Sequence, residues 1–289
     1  MKPSSFEYLR PDSIEGVVAA LAAHGERAKL LAGGQSLIPM MNFRMAAPEV
    51  LVDIGRIEGL SGITEGESGL RIGATTRHRE VLASEAVRRR CPLLAAGYGH
   101  VAHHTVRNRG TIGGNVCHHD PASEVPLVLV LLGAEMTLAG PEGQRGVSAE
   151  DFFVDMMETA CGADEVLTHI SVPHQAEDEG WAFHEMSNRK GDYAMACAAA
   201  RLRVEGGAFA DVRLGFNGAG AATKRMAEVE AMLEGQPASD ETIAAAAARA
   251  AELADPVEDA MADVAYKRDL IAALGRRALT EARDRATAG

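Results

Sequence analysis

Aromatic residues are scarce. Phe, Tyr and Trp make up 4% of the 289-residue chain, with a single Trp. A base-stacking platform for nucleic acid is therefore not expected. Positive charge is also short. Lys plus Arg number 29 against 41 Asp plus Glu, a formal net charge of −12. That balance argues against a protein built to neutralise a phosphate backbone. It leaves room for a small anionic ligand, because local backbone N–H groups can outweigh a global charge. Cysteine is limited to Cys91, Cys117, Cys161 and Cys197, with no CxxC pair. The spacing gives neither a disulfide framework nor a local zinc or iron–sulfur motif, so idle thiols in a reducing compartment are expected. No apolar stretch reaches the length of a membrane span, the longest (125–132) being broken by Pro126. Residues 1–5 lead into mixed sequence without the apolar core of a signal peptide. A cytoplasmic protein, with no membrane span and no nucleic-acid partner, is the expectation.

What is present is a chain with 47% apolar residues and 30 glycines, large enough for one or two packed cores. A helix is predicted over 12–24, with Asp12 as its cap, apolar residues at 14, 17, 18 and 21, and Gly25 as its stop. Short strands follow at 29–32 and 50–54. Residues 60–90 read as strand, turn, strand and helix, with Thr76 as the helix cap. The segment 106–121, rich in Gly, Asn, Arg and His, does not read as a core element. The apolar run 127–132 is a candidate buried helix, 134–138 and 166–172 are strands, and the polar stretch 174–180 is a candidate domain boundary. Strands at 181–186, 194–204 and 208–216 follow, then helices at 224–233, 241–253 and 266–285.

Two short motifs carry candidate chemistry. Ala32-Gly33-Gly34-Gln35-Ser36 follows a strand directly, and Thr111-Ile112-Gly113-Gly114-Asn115 lies further on. Paired glycines allow positive φ and close approach of a ligand, and successive N–H groups in such turns form anion-binding nests. Ser36, Thr111 and Asn115 add side-chain donors. Two such loops converging on one pyrophosphate would bind a dinucleotide without a GxGxxG fingerprint, which is absent here, as is a P-loop. Each loop taken alone also reads as an ordinary turn. Arg107 and Arg109 flank the second loop, either to offset phosphate charge or to face solvent or an acidic partner. His103-His104 and Cys117-His118-His119-Asp120 superficially suggest metal ligands, but adjacent residues rarely ligate one ion, and hydrogen-bonded loop histidines are the expectation. No GxSxG elbow supports a serine nucleophile.

Taken together, SFEYLRP at 5–11, AGGQSLIP at 32–39, LVDI at 51–54, IGATT at 72–76, VRNRGTIGGNVCHHDPASEVP at 106–126 and RKGDYAMA at 189–196 resemble the FAD-binding medium subunit of molybdenum hydroxylases. This is the family of carbon monoxide dehydrogenase and the xanthine dehydrogenases. The resemblance spans nearly the whole chain. It implies an α+β fold: a two-subdomain FAD-binding domain of the vanillyl-alcohol-oxidase/PCMH type over 1–175, with subdomains at about 1–56 and 57–175. A C-terminal medium-subunit domain over 176–289 would follow, made of a three-stranded antiparallel sheet and a helical bundle. It implies FAD contacts from Lys29, Leu30, Leu31, Ala32, Gly33, Gly34, Gln35, Ser36 and Leu37, and from Gly110, Thr111, Gly113, Gly114 and Asn115 on the other side of the pyrophosphate. Ser123 and Glu124 would contact the cofactor, the carboxylate reaching the adenosine ribose. Val101 and Leu167 would lie by the flavin, and Asp192 and Tyr193 over its ring. His184-Glu185 stand where the family often has a lysine, and Lys190 is the substitute at hand.

By the same resemblance, the expected function is an electron-transfer flavoprotein subunit with no catalytic acid or base of its own. A large partner would hold the molybdopterin cofactor and a small partner two [2Fe-2S] clusters, likewise implied, in a dimer of heterotrimers. The absence of clustered cysteines here fits clusters carried on another chain. A stand-alone FAD-dependent oxidoreductase with its own small substrate is the competing reading.

Overall fold

The computed structural model describes residues 2–218, 220 and 223–288. A three-stranded parallel sheet opens the chain, in the order Glu7–Leu9, Val50–Asp53, Ala28–Leu31. Helix Ile14–His24 covers it, burying Val17 and Leu21 one turn apart. Its cap is Ser13, whose hydroxyl accepts from the Gly16 N–H at 3.1 Å, and not Asp12. The helix begins one residue later than its sequence pattern suggests, because serine is the residue one turn back from the first free amides.

A five-stranded antiparallel sheet follows, in the order Ile63–Glu65, Gly69–Gly73, Val166–Pro173, Glu135–Gly140, Gly143–Ser148. Strand Val166–Pro173 returns late in the sequence to lie between two earlier strands, Gly69–Gly73 and Glu135–Gly140, so the chain between those two leaves the sheet and comes back to it. The helices of that stretch pack upon it. The apolar run forms helix Glu124–Leu131, in which every residue is buried. The segment 106–121 differs from expectation. Helix Ile112–His118 occupies its middle, with Ile112, Gly113 and Val116 buried. Small residues hid it: the Gly113 amide donates to the Ala74 carbonyl at 2.8 Å, an approach that a larger residue would block. Thr76 caps no helix. Its buried hydroxyl accepts from the Gly62 amide and donates to the Gly62 carbonyl, at 2.9 and 3.1 Å, while helix His78–Ala83 starts at Arg77, whose N–H is taken by Glu80.

The C-terminal part is an antiparallel sheet of Gly180–Ser187, Ala194–Glu205, Ala208–Asn217 and Lys224–Arg225. The fourth strand was expected to be the start of a helix. Arg225 is drawn instead into an ion pair with Glu230 and Glu150, which holds residues 224–225 extended on the sheet edge. The helix begins at Ala227. Strand Ala194–Glu205 is buried on both faces: Cys197 and Ala199 join the core that contains Glu124–Leu131, and Ala196, Ala198 and Ala200 join the core formed with helices Ala227–Leu233, Asp240–Leu253 and Val264–Ala288. Small side chains on both faces are what let helices approach from both sides.

Candidate functional site

A cleft of about 1330 Å³ runs between the parallel sheet and the helices of the antiparallel one. That exceeds the roughly 300–1,000 Å³ of sites for drug-sized ligands. Its walls include Lys29, Leu30, Leu31, Ala32, Gly33, Gly34, Gln35, Ser36, Leu37, Val101, Gly110, Thr111, Gly113, Gly114, Asn115, Ser123, Glu124, Leu167, Asp192 and Tyr193. Segments far apart in sequence thus meet around one space. Lys190 stands outside it, exposed and off the wall.

The two glycine loops touch backbone to backbone. A Cβ placed on Gly33 would meet the Arg109 carbonyl oxygen and lie 2.7 Å from the Gly110 Cα. Gly34 has φ +70°, which turns the chain sharply after strand Ala28–Leu31. Among the described residues, no backbone or side-chain oxygen accepts from the amides of Gly33, Gly34, Gln35 or Ser36. Four unpaired N–H groups in one turn form a nest for an anion.

The second loop works differently from the first. Its amides are already committed: Ile112 N–H to Thr76, Gly113 N–H to Ala74, and Gly114 N–H to the Thr111 hydroxyl at 3.1 Å. Asn115 and Ser123 hold each other in a reciprocal pair, at 2.8 and 3.0 Å. This loop is a rigid wall, with the Thr111 hydroxyl proton left to donate. The flanking arginines do not reach the cleft wall. Arg107 donates to the carbonyls of Val101 and Ala102 at 2.9 and 2.7 Å, and so fixes the segment that presents Val101. Among the described residues, Lys29 is the only Lys or Arg on the wall. What the cleft offers an anion is the unpaired amides of residues 33–36 and this one lysine.

Glu124 begins its helix 7% exposed. Burial, then the charges of Glu185 and Asp120, push its carboxyl up to about 8. At neutral pH it is mainly the neutral acid, which can donate one hydrogen bond and accept others. Either form can serve ribose hydroxyls. Tyr193 lines the cleft, 57% exposed, and burial, then the charge of Asp120, raises the pKa of its hydroxyl. Its loop is fastened to the other wall. Asp192 lies 3.4 Å from His103, and Gly191, at φ +90°, passes so close that a Cβ would come within 2.6 Å of the His103 ring. His184 and Glu185 have partners of their own: His184 pairs with Glu281 at 2.8 Å, and the buried Glu185 faces His100 at 3.7 Å.

His119 is fully buried, and burial lowers its pKa. One ring nitrogen contacts the carbonyls of Asp155 and Glu158, at 2.7 and 3.1 Å, and the other lies 3.2 Å from the Thr223 hydroxyl. It is a hydrogen-bonded strut, in line with the expectation for these histidines. Sequence reasoning missed the far wall, residues 157–165, altogether. Nothing local marks it.

Comparison with known proteins agrees with this geometry. Residues 4–175 match the family described as FAD binding domain in molybdopterin dehydrogenase, and residues 181–282 match the CO dehydrogenase flavoprotein C-terminal domain. The chain belongs to the FAD-binding medium-chain family of molybdopterin dehydrogenases. The carbon monoxide dehydrogenase medium chain of Hydrogenophaga pseudoflava is 38% identical over 282 residues, covering 98% of both chains. The 6-hydroxypseudooxynicotine dehydrogenase complex subunit alpha of Paenarthrobacter nicotinovorans is 37% identical over 287 residues, covering 99% of this chain and 97% of the relative. Among solved structures, carbon monoxide dehydrogenase from Hydrogenophaga pseudoflava superposes with a TM-score of 0.96 at 39% identity, covering 99% of each chain. Quinoline 2-oxidoreductase from Pseudomonas putida 86 gives 0.93 at 34% identity, covering 100% of this chain and 99% of that one. Like these relatives, this chain has the fold of a PCMH-type FAD-binding domain followed by a C-terminal sheet with helices. No helix among the described residues is long and apolar enough to cross a membrane.

Proposed function

We propose that this chain carries FAD as the electron-transfer subunit of a heteromeric molybdenum hydroxylase, accepting electrons from [2Fe-2S] clusters of a small partner and releasing them to an external acceptor. The observation that carries the reading is the contact between the two glycine loops, which sets four free amides at the base of a cleft large enough for a dinucleotide. The family membership names the dinucleotide as FAD. FAD supplies reversible two-electron chemistry, and this chain's residues bind, orient and shield it.

The amides of Gly33, Gly34, Gln35 and Ser36 take the pyrophosphate, with Thr111 donating from the facing loop. Lys29 to Leu31 and Leu37 bracket that turn, and Ala32, Gly110, Gly113 and Gly114 keep its floor free of bulk. Asn115 and Ser123, locked together, set the wall against which Glu124 meets the ribose hydroxyls. Val101 and Leu167, 3% exposed each, give apolar contacts to the ring. Asp192 and Tyr193 overlie the ring from the loop tied to His103, and exclude water there. No side chain needs to act as an acid or base.

In the assembly we propose, a large subunit holds the molybdopterin cofactor, a small one the clusters, and two such heterotrimers pair in the cytoplasm. The division of the chain, on this reading, falls at residues 175 and 176, with 1–56 and 57–175 as the two halves of the FAD-binding part. The test is purification of the native complex. Visible flavin absorbance, with FAD released on denaturation, and two partner chains carrying molybdenum and iron in company are expected. A colourless complex, or a single chain that oxidises a small substrate unaided, overturns the reading.

A further inference from the structure

The C-terminal sheet grips the cleft wall from behind, at residues that no sequence motif marks. Strand Ala208–Asn217 ends in Asn217, which is 2% exposed and lies opposite Cys197 in the sheet. Its Nδ2 donates to the Ser123 carbonyl and to the Thr223 hydroxyl, both at 2.8 Å. Its Oδ1 is buried and meets no donor among the described residues, so the amide is held by what Nδ2 gives. The Gly218 N–H donates to the Pro121 carbonyl at 2.7 Å. Gly218 has φ +79°, and a Cβ there would come within 2.9 Å of the Ala194 carbonyl oxygen, so the turn is fitted closely to the sheet. Thr223 in turn lies 3.2 Å from the His119 ring. The grip thus falls on alternate residues of one short segment: His119, Pro121 and Ser123. His119, Ser123 and Thr223 are all buried.

That segment carries part of the cofactor wall. Ser123 exchanges hydrogen bonds with Asn115, and Glu124 follows it directly. Asn115, Ser123 and Glu124 line the cleft, whereas Asn217 and Thr223 stand outside its lining. Ser123 also begins helix Glu124–Leu131, so a shift of its carbonyl tilts the turn that presents the Glu124 carboxyl. Within the segment, the Ser123 N–H donates to the Asp120 carbonyl and the Ala122 N–H to the Asp120 carboxylate, both at 2.9 Å. Those bonds shape the turn, and the bonds from the C-terminal sheet set where it sits.

We propose that Asn217 is a positioning residue for the cofactor. It fixes Ser123, and through Ser123 the side chains of Asn115 and Glu124, so that tight retention of FAD depends on a residue that never touches it. That the cofactor is FAD rests on the reading above; the grip itself does not. An amide suits the place because one NH2 group can serve two acceptors at once. Aspartate has the same shape but offers no N–H, and it sets an oxygen against the Ser123 carbonyl oxygen.

The experiment measures FAD release from the purified native complex by flavin fluorescence, beside amide hydrogen exchange over residues 113–124. Asn217→Asp should release FAD at least about fivefold faster than the parent, the scale expected when a buried donor is lost. Exchange over 113–124 should quicken with it. Thr223→Val keeps the shape and removes the hydroxyl, and should act in the same direction, while Thr223→Ser restores the parental rate. Ile243→Ala, in the helical core behind the same sheet, is the control. It should lower Tm and leave FAD release within about twofold of the parent. Parental FAD release in both Asn217→Asp and Thr223→Val overturns the proposal. So does equally fast release in Ile243→Ala, because lost stability alone would then explain the effect. A parent complex without flavin overturns the FAD reading, and parental exchange over 113–124 in Asn217→Asp then overturns the grip as well.

Discussion

Replacing Gly33 with alanine adds one methyl group at the point where the two glycine loops touch. Gly33 is absent from the residues of positive φ, so alanine brings no backbone strain there and the effect is purely steric. Its Cβ would stand 2.7 Å from the Gly110 Cα and closer still to the Arg109 carbonyl oxygen, all of it backbone that cannot rotate away. Ordinary carbon–carbon contact is about 3.5 Å, so the loops must part by nearly 1 Å. The free protein can relieve this by opening the cleft. The bound state cannot, because the amides of Gly33 to Ser36 must stay within about 2.9 Å of the phosphate oxygens they serve. Overpacking of this kind costs about 1–3 kcal/mol. Placed on binding, that is a roughly 5- to 150-fold weaker FAD dissociation constant. The assay is fluorescence titration of the FAD-stripped protein, with thermal unfolding run alongside. Gly143→Ala is the control: its φ is +107° and its Cβ would meet nothing, so it should lower stability by about 1 kcal/mol and leave FAD binding alone. A Gly33→Ala protein that binds FAD within twofold of the parent (well under 1 kcal/mol) refutes the cradle.

Glu124→Gln should change how stability depends on pH. The folded-state value of about 8 lies above the ordinary 4.5, so the buried acid loses stability as pH rises between those values. The Tm of the FAD-stripped parent should therefore fall relative to Glu124→Gln from pH 5 to pH 9, and parallel curves would contradict the buried acid. His119→Leu removes the donor to the Asp155 and Glu158 carbonyls; a loss of about 0.5–1.5 kcal/mol in urea unfolding is expected. Ala198→Leu overfills the 0% exposed face that receives the C-terminal helices, and should cost about 1–3 kcal/mol in the same experiment.

Much of the architecture was legible in the chain. The apolar run before Gly133 became the buried helix Glu124–Leu131, and the strands at 28–31, 50–53, 69–73 and 166–173 lie close to where their patterns put them. What was missed has a common cause. Helix Ile112–His118 is built on glycine, asparagine and cysteine, and so lacks the apolar stripe by which helices are read. Strand Lys224–Arg225 exists because Glu150 and Glu230 capture an arginine, and Glu150 is distant in sequence. At the site, residue types were readable but their division of labour was not. Both loops look like anion nests in sequence. Only hydrogen-bond partners at Thr76 and Ala74 show that one loop has spent its amides and the other has not.

By itself the sequence determined where the chain can turn tightly, which segments must be buried, and that its negative charge does not preclude a dinucleotide held by backbone. Those are local properties, set by missing Cβ atoms and apolar periodicity. Only the tertiary structure decided which segments face one another. It brought Gly33 against Gly110 and sent alternate alanines of strand Ala194–Glu205 into two different cores. Periodicity reports that a side chain is buried, never against what. The partner is chosen when strand Val166–Pro173 returns to close the second sheet and presses the distant loops together around one cleft.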